Sequence, residues 1–140
     1  MDLQRNAFKH ALAAGKLQIG LWSSLANNIA TEIVADSGFD WILLDTEHSP
    51  NEIPDLLSQL QSITRGTATP IVRPAWNDAV LTKRVLDIGA QSVLFPYVQN
   101  AEEAKRARTT GLSSAWRTSI HCSMTSSSRK ARSASVTKKG

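Results

Sequence analysis

The chain of 140 residues has little cysteine, few aromatic residues and no long apolar run. Its single cysteine, Cys122, excludes an internal disulfide framework and any all-cysteine metal site. No segment approaches the roughly 20 consecutive apolar residues that a membrane-spanning helix needs. Residues Met1–Gly15 lack the basic and then apolar pattern of a signal peptide, so we expect a cytoplasmic protein.

Acidic residues are absent from the last quarter of the chain. Residues 1–104 contain seven lysines and arginines and twelve aspartates and glutamates, whereas residues 105–140 contain nine basic residues and no acid. From Thr109 to Gly140, 14 residues are serine or threonine. Such a segment cannot bury enough apolar surface to offset its chain entropy, so we predict disorder after Ala107. With Trp116 as its one aromatic residue, it is expected to make only non-specific contacts with polyanions such as nucleic acid.

The chain before this segment alternates between helix and strand patterns. A leading helix pattern at Arg5–Ala14 precedes four units, each an apolar strand pattern followed by an amphipathic helix pattern. The four strands are predicted at Leu17–Leu25, Asp40–Glu47, Thr69–Trp76 and Gln91–Val98. This alternation predicts right-handed crossovers and a parallel sheet.

Two α/β architectures begin in this way, a doubly wound sheet and a (β/α)₈ barrel. No G-x-G-x-x-G motif follows the first strand, which disfavours the dinucleotide-binding form of the doubly wound sheet. A complete barrel needs about 250 residues. The prediction is therefore the N-terminal half of a (β/α)₈ TIM barrel over residues 1–107, followed by a low-complexity basic tail over residues 108–140.

Polar side chains stand where the predicted strands end, which is where parallel α/β folds form their active sites. His48 is a candidate general base because an imidazole changes protonation near neutral pH, and its alternative is a surface histidine in a loop. Arg73 interrupts an apolar strand, where a guanidinium must be paired. It could hold a carboxylate or enolate oxygen, form a salt bridge to Asp45 or Glu47, or do both.

Four further side chains have a functional and a structural interpretation. Asp45 and Glu47 could bind a metal or accept hydrogen bonds from metal-bound water. Trp22 could lie in the core or line a pocket. Asp87, in the helix pattern "VLDIGA", could orient His48 as a buried carboxylate or face solvent.

Four segments resemble the HpcH/HpaI aldolase/citrate lyase family: "LQIGLWSSLAN", "GFDWILLDTEHSPNEI", "PIVRPAW" and "KRVLDIGAQSVLFPYVQNAEEAKRA". The similarity spans about residues 5–107. Within the family, the segments most resemble the class II, metal-dependent pyruvate aldolases, which cleave 4-hydroxy-2-oxo acids. These include the 2-dehydro-3-deoxyglucarate and 4-hydroxy-2-oxoheptanedioate aldolases. The resemblance implies a (β/α)₈ barrel that assembles as a hexamer and uses Mg²⁺, Mn²⁺ or Co²⁺.

The resemblance also implies a role for each candidate side chain. In it, His48 is the catalytic base, Asp87 is the carboxylate that pairs with His48, and Arg73 holds the pyruvate enolate. Trp22 would lie near the substrate, and Asp45 and Glu47 would surround the metal-bound water. The implied reaction is retro-aldol cleavage to pyruvate and an aldehyde, with the metal as a Lewis acid.

The resemblance ends near Ala107. The two direct metal ligands of the family, a Glu and an Asp, are expected on later strands, beyond Gly140. A Tyr-Pro-Pro segment of the family is replaced by "RTTGLSSAWRTS". With one choice of codons for Leu112–Thr118, moving the reading frame one base forward encodes the Tyr-Pro-Pro segment. A frameshift is therefore one hypothesis for the origin of the tail. We expect no turnover from a chain of this length, and the alternative function is a non-catalytic fragment or assembly partner with a polyanion-binding tail.

Overall fold

Five parallel strands in the order β1-β2-β3-β4-β5 form one sheet in the computed structural model, which describes residues 6–113 and 119–122, with side chains up to residue 110. The strands are β1 (Gly20–Ser23), β2 (Trp41–Asp45), β3 (Thr69–Arg73), β4 (Ser92–Phe95) and β5 (Ser119–Cys122). The helices are α1 (Ala7–Ala13), α2 (Asn28–Ala35), α3 (Ile53–Ile63), α4 (Ala79–Asp87) and α5 (Ala101–Ser113). The predicted leading helix and four strand-helix units are confirmed.

The helices begin at side chains that can accept hydrogen bonds from free backbone amides. Asn27 caps α2 by accepting from Ala30 N at 2.9 Å, and Asn100 accepts from Glu103 N at 2.9 Å where α5 begins. The sequence predicts that the helix pattern "EIPDLLSQLQSI" starts at Ser49–Asn51, whereas α3 begins at Ile53. The reason is that the Ser49 and Asn51 side chains are bonded to the carbonyl of Asp45 instead.

The larger core fills the face of the sheet that the helices α2 to α5 cover. The strands contribute alternating residues to it, because successive side chains of a strand point to opposite faces. The fully buried strand residues of this core are Ile42, Leu44, Val72, Val93 and Phe95. The helices contribute Ala35, Leu56, Leu60, Ile63, Val85, Leu86 and Ala107. We call this side the outer face of the sheet.

The opposite, inner face of the sheet packs against α1. Phe8 of α1 lies with Leu43 and Ile71 in a second core cluster, and its ring meets Trp41 edge-on with centroids 6.3 Å apart. Leu43 is in register with Ile71, and two residues further along Asp45 is in register with Arg73. The same alternation therefore brings Asp45 and Arg73 to the inner face, at the carboxyl ends of their strands.

The tail after Ala107 was predicted to be disordered, but ten of its residues, 108–113 and 119–122, lie in a helix and a strand. Helix α5 continues to Ser113, across the predicted boundary, and Ser119–Cys122 pairs in parallel with β4. An unpaired strand edge presents backbone groups that any extended segment can satisfy, whatever its composition. Residues 114–118 and 123–140 of the predicted tail lie outside the described residues. No helix in the part of the chain that is described is long and apolar enough to cross a membrane.

Candidate active site

The carboxylate of Asp45 and the guanidinium of Arg73 form a two-pronged ion pair. Nε of Arg73 donates to Oδ1 of Asp45 at 2.8 Å, and Nη2 donates to Oδ2 at 2.5 Å. Asp45 is 1% exposed. Because an uncompensated charge in such a position is costly, each group holds the other in place.

The balance of effects on Asp45 favours its charged form. Burial raises the pKa of Asp45, but hydrogen bonds from Arg73, from the Trp22 indole and from the Glu47 backbone, together with the Arg73 charge, act in the opposite direction. The result is a pKa lowered from 3.8 to about 2. Asp45 is therefore a permanent anion at neutral pH and keeps Arg73 paired.

Trp22 completes the wall on the β1 side. Its Nε1 donates to Oδ2 of Asp45 at 3.1 Å. Its ring lies against the guanidinium of Arg73, with Cζ 4.5 Å from the centroid, a cation-π distance. Trp22 is 46% exposed, so of its two interpretations the core one does not apply within this chain.

Glu47 holds Arg73 from a second direction. Its Oε2 lies 2.6 Å from Nη1 of Arg73, and its Oε1 lies 3.6 Å from Nε2 of His48. The His48 side chain is 72% exposed, whereas that of Glu47 is 16% exposed. His48 therefore lies at the open edge of the group, where a bound molecule could reach its imidazole.

The loop after β2 is tied to its neighbours through backbone carbonyls. Thr46 donates to the carbonyl of Arg73 from its amide at 3.0 Å and from its hydroxyl at 2.7 Å. The Asp45 carbonyl accepts from Nδ2 of Asn51 at 2.7 Å and from the Ser49 hydroxyl. Sequence reasoning assigned Ser49 and Asn51 to the start of α3 and missed this role. Short polar side chains between a strand and a helix are the signal that could have indicated it.

Asp87 is not brought to this group. It is the last residue of α4 and is exposed, close to the point where the chain turns at Gly89 to enter β4. Because α4 runs back along the sheet, its end lies beside the beginnings of the strands, away from the end that carries Asp45 and Arg73. Among the described residues no contact joins Asp87 to His48, and of its two interpretations the solvent-facing one applies within this chain.

The acidic side chains near Arg73 do not by themselves make a metal centre. Both carboxylate oxygens of Asp45 accept hydrogen bonds from Arg73, and one oxygen of Glu47 forms an ion pair with Arg73. No group of three or more histidines, cysteines, aspartates and glutamates that could hold a metal occurs in the described part of the chain.

Two aromatic side chains follow the carboxyl ends of β3 and β4. The rings of Trp76 and Tyr97 stack with centroids 5.0 Å apart and planes 29° apart. They are 51% and 45% exposed, and Tyr97 has a φ of +53°, in the left-handed region that a bulky residue seldom adopts. In the sequence, the feature that could have indicated this pair is an aromatic residue shortly after the end of each strand.

Parallel βα units with a buried ion pair and an exposed histidine at the carboxyl ends of the strands define a domain of the barrel-type α/β class. Residues 18–115 match the HpcH/HpaI aldolase/citrate lyase family, and the chain belongs to it. The resemblance of its four segments to that family is confirmed.

The matched relatives are much longer than this chain. It is 58% identical over 107 residues to a pyruvate aldolase of Rhizobium etli, covering 76% of this chain and 42% of the relative. It is 54% identical over 103 residues to a 4-hydroxy-2-oxo-heptane-1,7-dioate aldolase of Salmonella dublin, covering 74% of this chain and 39% of the relative. The chain therefore spans about two fifths of the length of these curated relatives.

Solved structures of this family have the same fold as this chain. The crystal structure of an HpcH/HpaI aldolase/citrate lyase family protein from Burkholderia cenocepacia aligns with a TM-score of 0.73 at 36% identity, over 76% of this chain and 42% of that one. A macrophomate synthase aligns with a TM-score of 0.60 at 27% identity, over 71% of this chain and 35% of that one. The predicted fold, the N-terminal half of a TIM barrel, is confirmed.

Proposed function

We propose that this chain carries the substrate-anion and proton-transfer side of an aldolase site that cleaves 4-hydroxy-2-oxo acids to pyruvate and an aldehyde. The observation that carries the proposal is Arg73, whose guanidinium is fixed by Asp45, Glu47 and Trp22 at the carboxyl end of β3. The names of the relatives, a pyruvate aldolase and a 4-hydroxy-2-oxo-heptane-1,7-dioate aldolase, support this reaction class.

The fixed guanidinium suits an enolate. A guanidinium has five N–H groups. Two of those on Arg73 donate to Asp45, and its Nη1 forms an ion pair with Glu47. The N–H groups that do not face these carboxylates can donate to the carboxylate and to the enolate oxygen of a bound 2-oxo acid. Since the side chain is already immobilised, little ordering is needed when negative charge develops on that oxygen.

The exposed position of His48 supports its role as the base. In the cleavage, a base takes the proton of the C4 hydroxyl, the C3–C4 bond breaks, and the aldehyde leaves. The electron pair of that bond becomes the pyruvate enolate, which takes a proton at C3 to give pyruvate. The exposed His48 imidazole lies 3.6 Å from the Glu47 carboxylate, at the open edge of the group, where the C4 hydroxyl of a bound substrate could reach it.

Metal chemistry in this family of reactions would supply a Lewis acid for the 2-oxo acid. The described residues do not fit a direct metal site, because no group of three or more potential ligands occurs among them and Arg73 pairs with both Asp45 and Glu47. No step above depends on a metal. The role of Asp45 and Glu47 around metal-bound water, and assembly as a hexamer, remain proposals from the resemblance.

The test is binding of oxalate, a planar mimic of the pyruvate enolate, by calorimetry. We expect Arg73→Lys to weaken oxalate binding by at least tenfold, because a lysine cannot form the two-pronged contact. The exposed Arg84 in the last turn of α4 supplies the matched control, and Arg84→Lys should leave the affinity unchanged. Equal affinity of the unmodified protein and Arg73→Lys would overturn the proposal.

The base is tested separately by exchange of the pyruvate methyl protons with deuterium, followed by NMR. This exchange needs no carbon–carbon cleavage, so we expect it even from a chain that does not turn over the full substrate. His48→Ala should lose it, whereas His10→Ala in α1, which also removes an exposed imidazole, should not. Exchange that survives in His48→Ala would assign the proton transfer to another group.

A second candidate function is favoured by charge alone. Residues 105–140 contain nine basic residues and no acidic one, which supports salt-sensitive binding to polyanions. The measurement is retention of the full chain on heparin at two salt concentrations. Retention that does not fall with salt would argue against this function.

A further inference from the structure

We propose that Asn51 and Gln59 are positioning residues for the loop that carries Glu47 and His48. Together with Thr31 they form a buried run of hydrogen bonds from α2, through α3, to the end of β2. We call Thr31, Gln59 and Asn51 the amide strut. The loop in question is residues 46–49, between β2 and the residues that precede α3.

The amide strut is continuous from α2 to the loop. The Thr31 hydroxyl lies 2.8 Å from the Asn27 carbonyl and 3.0 Å from Oε1 of Gln59, so its one proton is shared between two acceptors. Nε2 of Gln59 donates to Oδ1 of Asn51 at 2.7 Å. Nδ2 of Asn51 then donates to the Asp45 carbonyl at 2.7 Å.

The order of these bonds fixes the direction of the last one. Because Gln59 donates to Oδ1 of Asn51, the amide nitrogen of Asn51 must point the other way, toward the Asp45 carbonyl. A second proton of Gln59 Nε2 is directed at the Asp55 carbonyl at 3.2 Å, which anchors Gln59 within α3. The strut therefore supplies a donor, and not an acceptor, at the end of β2.

Burial makes this arrangement informative. Thr31, Asn51 and Gln59 are 1%, 2% and 0% exposed. Burying an amide without a partner is costly, whereas apolar side chains of similar shape would fill the same space without that cost. Packing therefore does not explain why these residues are amides. The run of hydrogen bonds ends at the Asp45 carbonyl, where the loop begins.

The held carbonyl sets the geometry of the loop. With Asp45 tied through its main chain, its Oδ1 accepts from Glu47 N at 2.9 Å and from His48 N at 3.4 Å. These bonds bring the Glu47 carboxylate to Nη1 of Arg73 and within reach of the His48 imidazole. Loss of the strut should free the loop while Asp45 and Arg73 stay paired through their side chains.

The significance of this role for binding rests on the proposed function, but the role itself is testable without a ligand. The variant is Gln59→Met, which keeps the volume and removes the amide. Its control is Ser92→Ala, which removes another buried hydrogen bond, the one that Asn6 Nδ2 donates to Ser92 Oγ at 2.9 Å. Ser92 begins β4, at the other end of the strands.

Hydrogen exchange of individual amides, measured by NMR, separates local from global effects. We expect Gln59→Met to accelerate exchange of the Glu47 amide at least tenfold more than that of the β2 amides. In Ser92→Ala the two should change by the same factor. Equal acceleration throughout Gln59→Met would mean that Gln59 serves only overall stability, and would overturn the inference.

Thr31→Val provides a graded second variant, because it retains the volume of Thr31 and removes its two hydroxyl contacts, of which the one to Gln59 lies at the far end of the strut. The Glu47 amide should then exchange at a rate between those of the unmodified protein and Gln59→Met. Oxalate affinity should follow the same order. A failure of the unmodified protein to bind oxalate would count against the proposed function and leave the exchange result to decide the positioning role.

Discussion

Asp45 and Arg73 are register partners on the adjacent parallel strands β2 and β3, and their side chains meet through two hydrogen bonds of 2.8 and 2.5 Å. Partners on neighbouring parallel strands point to the same face of the sheet. The two charges are therefore brought together by the backbone register itself. The loop of Glu47 and the ring of Trp22 then close around a pair that the sheet has already formed.

Removing the negative charge of this pair should destabilise the fold. Asp45→Asn keeps the shape but leaves the guanidinium of Arg73 with Glu47 as its one remaining carboxylate. Breaking a buried ion pair typically costs about 3–5 kcal/mol, and the remaining contact with Glu47 puts the expected loss in the free energy of unfolding near the lower end. Urea denaturation measures it. Asp36→Asn, at the exposed end of α2, should change stability little, and similar losses in both variants would contradict the central role of the pair.

The same pair makes stability depend on acid. The folded pKa of Asp45, about 2, lies below the ordinary value of 3.8. A lowered folded pKa contributes stability that is present above the unfolded pKa and is lost as the pH falls through the folded pKa. The contribution is about 2 kcal/mol, lost between about pH 4 and pH 2. Urea denaturation across that range should show a smaller decline for Asp45→Asn than for the unmodified protein, and parallel declines would refute the assignment.

The indole of Trp22 has two separable effects. Trp22→Phe keeps a ring against the guanidinium but removes the hydrogen bond to Oδ2 of Asp45, so the pKa of Asp45 should rise. Trp22→Leu removes the cation-π contact as well and should weaken oxalate binding further, by several-fold. NMR titration of the Asp45 carboxyl carbon reports the first effect and calorimetry the second. Trp76→Phe, in the aromatic pair with Tyr97, should alter neither.

Gly20 is required because the Trp41 ring lies against its backbone. A Cβ at this position would come within 2.0 Å of the ring. Gly20→Ala should therefore lower the free energy of unfolding by about 1–3 kcal/mol, the usual cost of overpacking. A double-mutant cycle with Trp41→Leu tests the cause, because the smaller side chain should restore most of the loss. An undiminished loss in that background would exclude the proposed clash.

The sequence predicted much of the site, because the side chains at the ends of apolar strands can be read from local patterns. Trp22, Asp45, Glu47 and Arg73 were all identified in this way, and the structure brings them into contact. Asp87 shows the limit of such reasoning. Its apolar neighbours are compatible with a buried carboxylate, but only the direction of α4 across the sheet shows that it ends away from His48.

The sequence by itself determined the order of the helices and strands, the parallel sheet and the alternation between outer and inner faces. These depend on the spacing of apolar residues and on helix caps, which are local. The tertiary structure decided which polar groups pair, since the partners of Asp45 lie up to 28 residues away along the chain. It also decided that Asn51 serves the loop rather than the start of α3, and that Ser119–Cys122 joins β4. A backbone group takes whichever partner the fold brings within hydrogen-bonding distance.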